Sequence, residues 1–507
     1  MKNYKYIGLF LLSLGFVSCD VDNELEAIPA EVVANVALNT NGLDFSKYVS
    51  VGASFTAGYT DGAMFKAGQE NSFPNILAKK FGTDFKQPLM NDNIGGLVFN
   101  GATVAQPRFY FDGAGPAVLP ATPTTQLGAP VAGPFNNFGA PGAKSFHLTV
   151  PGYGALNPYF GRMASSPMAT VMGDALAQNP TFFTLSEIGG NDVLGYALSG
   201  GSGVDQTGNF DPSTYGGSDI TDPNVFAQVF NGMVTALTAN GAKGVVANVP
   251  YITDLANFTT IPYNSLDPSL PALAPQIDAL NAQLYGVLKG IFTAYGEPNR
   301  IDVLSKTMAN PLLILDEDAT DMSAQIRGAL TPVLGAPTAG AFGAIFGKAR
   351  QATENDLILL ATLPNIATTV PGVPAPINVN GVSYPLQDQW VLTPQEQMAI
   401  KTATDAYNTT IAAVADTNPN VALVDFKGVL TEASTGIMFD KYTMTTSLVT
   451  GGLVSLDGVH LTARGYALMA NKILAAMDAK FGSNFTSATD GLAKAGDYPT
   501  NYSPALR

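Results

Sequence analysis

Two histidines, His147 and His460, are all that the sequence offers to chemistry needing an imidazole, so a site built from several histidine ligands is excluded. His460 stands three residues after Asp457 in SLDGVHLTARGYALMA, on a turn leading into a helix. At that spacing a carboxylate can reach one imidazole nitrogen while the other faces a cleft. With a distant serine as nucleophile, such a pair is what acyl transfer requires. The simpler alternative makes Asp457 a helix cap and His460 a surface residue, which accounts for the aspartate alone. Ser54 offers a hydroxyl in YVSVGASFTAGYTDG, where an apolar run gives way to small residues. Taken singly, it reads as a turn former closing a strand. His147 reads as structural or near the site, and Asp192 as a residue holding a loop. Other serine and zinc chemistries lack their motifs: there is no Gly-x-Ser-x-Gly elbow, no Ser-x-x-Lys with Lys-Thr-Gly, and no His-Glu-x-x-His.

Four stretches, VGASFTAGYTDG, NFGAPGAKSFHL, IGGNDVLG and LDGVHLTARGYALMA, follow the order of the four sequence blocks of the SGNH, or GDSL-type, serine hydrolases. From about Phe45 to Phe481 the chain resembles that family. The resemblance implies a three-layer, flavodoxin-like α/β fold, with a parallel sheet and helices on both faces. It implies hydrolysis of carboxylic esters, as a lipase or acyl esterase, through an acyl-enzyme. Ser54 would be the nucleophile, Asp457 and His460 would complete the triad, and Ser54, Gly142 and Asn191 would donate to the oxyanion. No cofactor or metal is expected. Where the family reads Gly-Asp-Ser, this chain reads Gly52-Ala53-Ser54. The missing carboxylate adjoins the nucleophile without belonging to the triad, so altered loop geometry or rate is expected rather than loss of the chemistry. Two other readings stay open: a carbohydrate O-acetyl esterase, and a catalytically impaired surface lipoprotein that binds a glycan or lipid.

For these residues to meet, the chain must fold so that loops far apart in sequence share one edge. Apolar runs at Tyr48 to Gly52, Thr181 to Ile188, Gly244 to Val249 and Val421 to Phe426 read as strands, with a short one near Pro134 to Phe138. Helical patterns separate them, as in α/β folds with parallel sheets. In such sheets functional groups collect beyond the carboxyl ends of the strands, and Ser54, Gly142 and Asn191 follow the first, second and third. The segment from Thr393 carries a capping box, Thr393 with Glu396, and Pro394 at its first helical position. Met398, Ala403, Tyr407, Ile411 and Val414 recur there at helical spacing, as do Tyr466, Met469, Ile473 and Met477 in the last helix. Gly- and Pro-rich Phe111 to Pro134 reads as a long loop, as does ALSGGSG near Gly200.

At 507 residues, 46% hydrophobic and 13% charged, the chain can bury a large core. Its net charge of -15 opposes phosphate backbones, so nucleic acid is not an expected partner; a small-molecule or lipid ester is. Acidic LDEDATD, Leu315 to Asp321, reads as a solvated loop, although its carboxylates could hold calcium. At the N-terminus, Lys2 and Lys5 precede an apolar segment from Ile7 to Val17 and then Cys19. This is the form of an export signal, too short to span a bilayer. Cys19 is the only cysteine, which excludes an internal disulfide. FVSC resembles a bacterial lipobox, implying a signal over 1–18 and lipid attachment at Cys19. A tether over 19–42 would anchor the chain to the cell envelope, at the outer membrane or cell surface. An ordinary cleaved signal with an incidental cysteine is the alternative. The hydrolase body is expected over 43–485, with an insertion at about 266–385 and a tail over 486–507. Trp390, the single tryptophan, reads as packing.

Overall fold

The computed structural model describes residues 35–270 and 273–507; Cys19, the expected export signal and the first part of the tether lie outside them. The apolar runs form a five-stranded, all-parallel sheet. Its strands are β1 Tyr48–Gly52, β2 Asn137–Gly139, β3 Phe182–Leu185, β4 Lys243–Ala247 and β5 Val421–Val424, in the order β2-β1-β3-β4-β5. This is the 2-1-3-4-5 order of doubly wound flavodoxin-like sheets. Every residue of β1 and β3 is buried, as strands covered on both faces require.

Seven helices frame the sheet and its edge: α1 Ser54–Ala57, α2 Phe73–Phe81, α3 Val171–Leu176, α4 Asn191–Leu198, α5 Pro223–Thr238, α6 Pro394–Thr417 and α7 Ala463–Phe481. α7 packs on β5, β4 and α2, whereas α3, α5 and α6 form the other layer, with α6 also against α4. α6 starts with the expected capping box: Glu396 Oε2 accepts the Thr393 N–H at 2.6 Å. Its buried face is Ile400, Ala403, Thr404, Tyr407, Ile411 and Ala415. Met398 is 60% exposed, because the i, i+3, i+4 series that includes Ala403 and Tyr407 starts at Ile400. The face of α7 holds Tyr466, Met469, Ile473 and Met477, all buried.

Residues 261–391, between β4 and α6, gather a second apolar core around Leu284, Tyr285, Leu312, Ile314 and Phe346. Trp390 packs against it. Part of the expected loop from Phe111 to Pro134 is a hairpin instead. Phe109–Phe111 pairs with Pro116–Val118, because the Asp112 carboxylate accepts the N–H groups of Ala114 and Gly115 and tightens the turn. Both ends of the described residues lie on the body. Val36 and Asn39 donate to Thr489 and Asn484, and the buried Arg108 guanidinium donates to carbonyls of Tyr502, Ser503 and Leu506. No helix among the described residues is long and apolar enough to cross a membrane.

Candidate active site

Ser54 opens α1 directly beyond the carboxyl end of β1. The turn is tight enough that a Cβ on Gly52 would lie 2.2 Å from Thr56 Oγ1, so only glycine fits there. β2 ends alongside, with the Ala140 N–H donating to Gly52 O at 3.0 Å. That bond sets Gly142, at φ +78°, in the next loop. Beyond β3, Asn191 opens α4 and donates through Nδ2 to Ala143 O at 2.9 Å, joining the second loop to the third. Asp192 is buried and accepts both the N–H and the hydroxyl of Ser145, so its carboxylate also fixes the Gly142 loop.

Asp457 accepts five hydrogen bonds. His460 Nδ1 meets Oδ2 at 2.8 Å, the Gly62 N–H donates to Oδ2 at 2.8 Å, and Ser455 Oγ and the N–H groups of Val459 and His460 donate to Oδ1. Burial opposes charge on Asp457, but His460 and these donors outweigh it and hold the carboxyl well below the usual range. The α7 cap is Thr462, whose side chain accepts the Gly465 N–H, so Asp457 is not the helix cap. Because the carboxylate only accepts, Nδ1 carries the proton and Nε2 is left as the basic nitrogen.

The segment after α1 is stitched to the loop holding His460. Thr60 Oγ1 donates to Leu461 O, the Asp61 N–H to Ser455 Oγ, and the Leu456 N–H to Asp61 Oδ1. Tyr466 OH donates to Tyr59 O. The rings of Tyr59 and Phe55 lie 4.5 Å and 5.6 Å from the imidazole. Ser54 Oγ makes no hydrogen bond to a described residue, so Ser54 and the imidazole are related here only through the stitched loops that carry them.

Beside Ser54 opens an apolar cavity that Asn191, Leu194, Val249, Ile252, Val429, Val459, Leu461, Leu468 and Met469 also line. Neither the Ser54 N–H nor the Gly142 N–H has an acceptor among the described residues, and the Asn191 amide retains one proton beyond its bond to Ala143.

One residue of this site carries no signal in the four blocks. Glu187, two residues past β3, is half-buried and accepts through Oε1 from the N–H groups of Ala53 and Thr56 at 2.6 Å and 2.8 Å. A charged residue inside the apolar run just before Gly189 and Gly190 was the available clue. His147 lies nearby with a structural part: its Nδ1 accepts the Lys144 N–H and its ring stacks on Tyr153. Burial, then Lys144, push its imidazole down to about 4. No family model, curated protein or solved structure matches this chain.

Proposed function

We propose that this chain is an SGNH-type serine hydrolase that cleaves carboxylic esters through an acyl-enzyme, with an apolar acyl group as its preferred substrate portion. The observation that carries the reading is the Asp457–His460 pair at 2.8 Å, held by a loop bonded to the segment that follows Ser54.

His460 Nε2 takes the Ser54 proton as Oγ attacks the ester carbonyl. The developing oxyanion meets three donors: the Ser54 N–H, the Gly142 N–H and the unspent proton of the Asn191 amide. Collapse of the tetrahedral intermediate breaks the bond to the alcohol, which leaves with the proton from Nε2. Water, deprotonated by the same nitrogen, then hydrolyses the acyl-enzyme and restores Ser54. Asp457 keeps the proton on Nδ1 and stabilises the imidazolium of each half-reaction. The aliphatic wall of the cavity favours acyl chains longer than acetyl, each buried methylene contributing about 0.8 kcal/mol. Lipid attachment at Cys19 would hold this activity at the bacterial envelope.

The test is hydrolysis of p-nitrophenyl acetate and longer acyl esters by wild type and Ser54→Ala, with fluorophosphonate labelling of both. Turnover and labelling that vanish in Ser54→Ala are expected, with longer chains preferred. Preference for acetate would select the O-acetyl esterase, and absence of turnover with any ester would select the binding lipoprotein.

A further inference from the structure

Three carboxylates that ester hydrolysis does not use converge where the second core meets the sheet domain. Glu317 follows the strand Leu313–Leu315, Asp388 opens the single turn Asp388–Trp390, and Glu396 lies in the first turn of α6. One oxygen of each lies within 4.8 Å of the other two. Oxygens held 2.3–2.6 Å from one calcium ion are separated by at most about 5 Å, so all three fit a single coordination sphere. Among the described residues, none of the three forms an ion pair with a basic side chain.

Glu396 supplies a separate sign of a missing ligand. Its side chain is 3% exposed. Oε2 is taken by the Thr393 N–H and hydroxyl at 2.6 Å and 2.8 Å. Oε1 is buried with no hydrogen-bond partner, in a carboxylate of which one oxygen lies within 4.8 Å of an oxygen of Glu317 and of Asp388. The turn after α4 makes room for the group: a Cβ on Gly201 would fall 1.8 Å from Oε1, and one on Gly200 would fall 2.0 Å from Asp388 O.

We propose that Glu317, Asp388 and Glu396 bind a hard divalent cation, calcium by preference, that clasps residues 261–391 to the sheet domain. All-oxygen ligands on three separate segments suit the loose six- to eight-fold sphere of calcium better than the strict octahedron of magnesium, and zinc would look for nitrogen or sulfur. Exposed Glu317 gives the ion a way in and leaves room for water ligands. Without a cation the cluster must hold protons: burial, then the Glu317 carboxylate, push Glu396 up to about 8 and Asp388 up to about 7. This inference is independent of ester hydrolysis.

Trp390, the only tryptophan of the chain, lies two residues from Asp388 and can sensitise bound Tb3+. Titrating the full chain with Tb3+ should give saturable, Trp-excited luminescence at one ion per chain. Calcium should displace it at concentrations where magnesium does not. Calcium at 100 times its Kd should raise the apparent folding constant about 100-fold, and a chelator should reverse the gain. Asp388→Asn and Glu396→Gln, which keeps an acceptor for Thr393, should each weaken calcium binding at least tenfold. Should these variants misfold, the wild-type titration decides alone. No saturable luminescence, with melting unchanged by millimolar calcium, would overturn the proposal. A fall in melting as pH rises through 7 to 8 that calcium does not change, and that Asp388→Asn or Glu396→Gln removes while Glu187→Gln does not, would identify the three acids as sharing protons and overturn the proposal.

Discussion

Glu187 Oε1 lies 2.6 Å from the amide nitrogen of Ala53, the residue directly before the candidate nucleophile. The same oxygen holds the Thr56 N–H at 2.8 Å, so one carboxylate closes the N-terminal end of the turn that presents Ser54. The aspartate expected at position 53 is absent, and the neighbouring loop supplies an acid from another direction. Glu187 takes φ +50° to do this, a conformation uncommon outside glycine. Its Oε2 is buried with no partner.

That burial sets a pH dependence. Desolvation outweighs the hydrogen bonds and pushes Glu187 up to about 7. The folded chain therefore holds this proton more tightly than the unfolded chain, for which about 4.3 is ordinary. The stabilisation is complete below the unfolded value and is lost as pH rises through about 7, a change on the order of 3 kcal/mol. Glu187→Gln keeps the acceptor and cannot ionise, so its urea stability should fall by that much less between pH 4 and pH 8. Parallel curves for the two proteins would refute the assignment.

Asp457→Asn places an amide among five donors that need an acceptor. The imidazole then loses the partner that fixes its proton on Nδ1, and turnover should drop by about 10,000-fold. One buried donor left facing the amide should cost about 2 kcal/mol in unfolding free energy. Steady-state kinetics and denaturation on one preparation measure both, and near-normal turnover would remove Asp457 from the triad.

On the proposed mechanism, in which the free amide proton of Asn191 meets charge only in the transition state, Asn191→Ala should lower kcat by about 100-fold to 1,000-fold with little change in KM. A change confined to KM would assign Asn191 to ground-state binding instead.

Filling the apolar cavity should change substrate choice without touching the chemistry. Val429 lines its wall from the helix Phe426–Thr435. Val429→Trp should leave acetyl ester hydrolysis close to wild type and remove the gain in kcat/KM for longer chains. In the wild type that gain should be about fourfold per methylene until the cavity is full. Equal losses on short and long esters would place the acyl group elsewhere.

The strands were readable because both faces of this sheet are covered, which leaves unbroken apolar runs such as YVSVG. The partnership of Asp457 with His460 could be read from a three-residue spacing, although the helix cap belongs to Thr462. What composition hid was contact between distant segments. Glu187 lies 134 residues from Ala53, so nothing beside Ser54 announces it. Asp388 and Glu396 lie far from the acidic LDEDATD in sequence, and their approach to Glu317 follows from how the second core seats on α6. Met398 stood out as apolar, but side-chain direction on a helix is fixed by the whole series, and that series turns it to solvent.

Bonds between segment 59–62 and segment 455–461 join positions 394 to 401 residues apart. During synthesis Ser54 emerges roughly 400 residues before His460. A nascent chain that stops short of position 460 therefore carries the Ser54 hydroxyl without the imidazole, and the bonds that tie the two loops together close only after the intervening segments have been made.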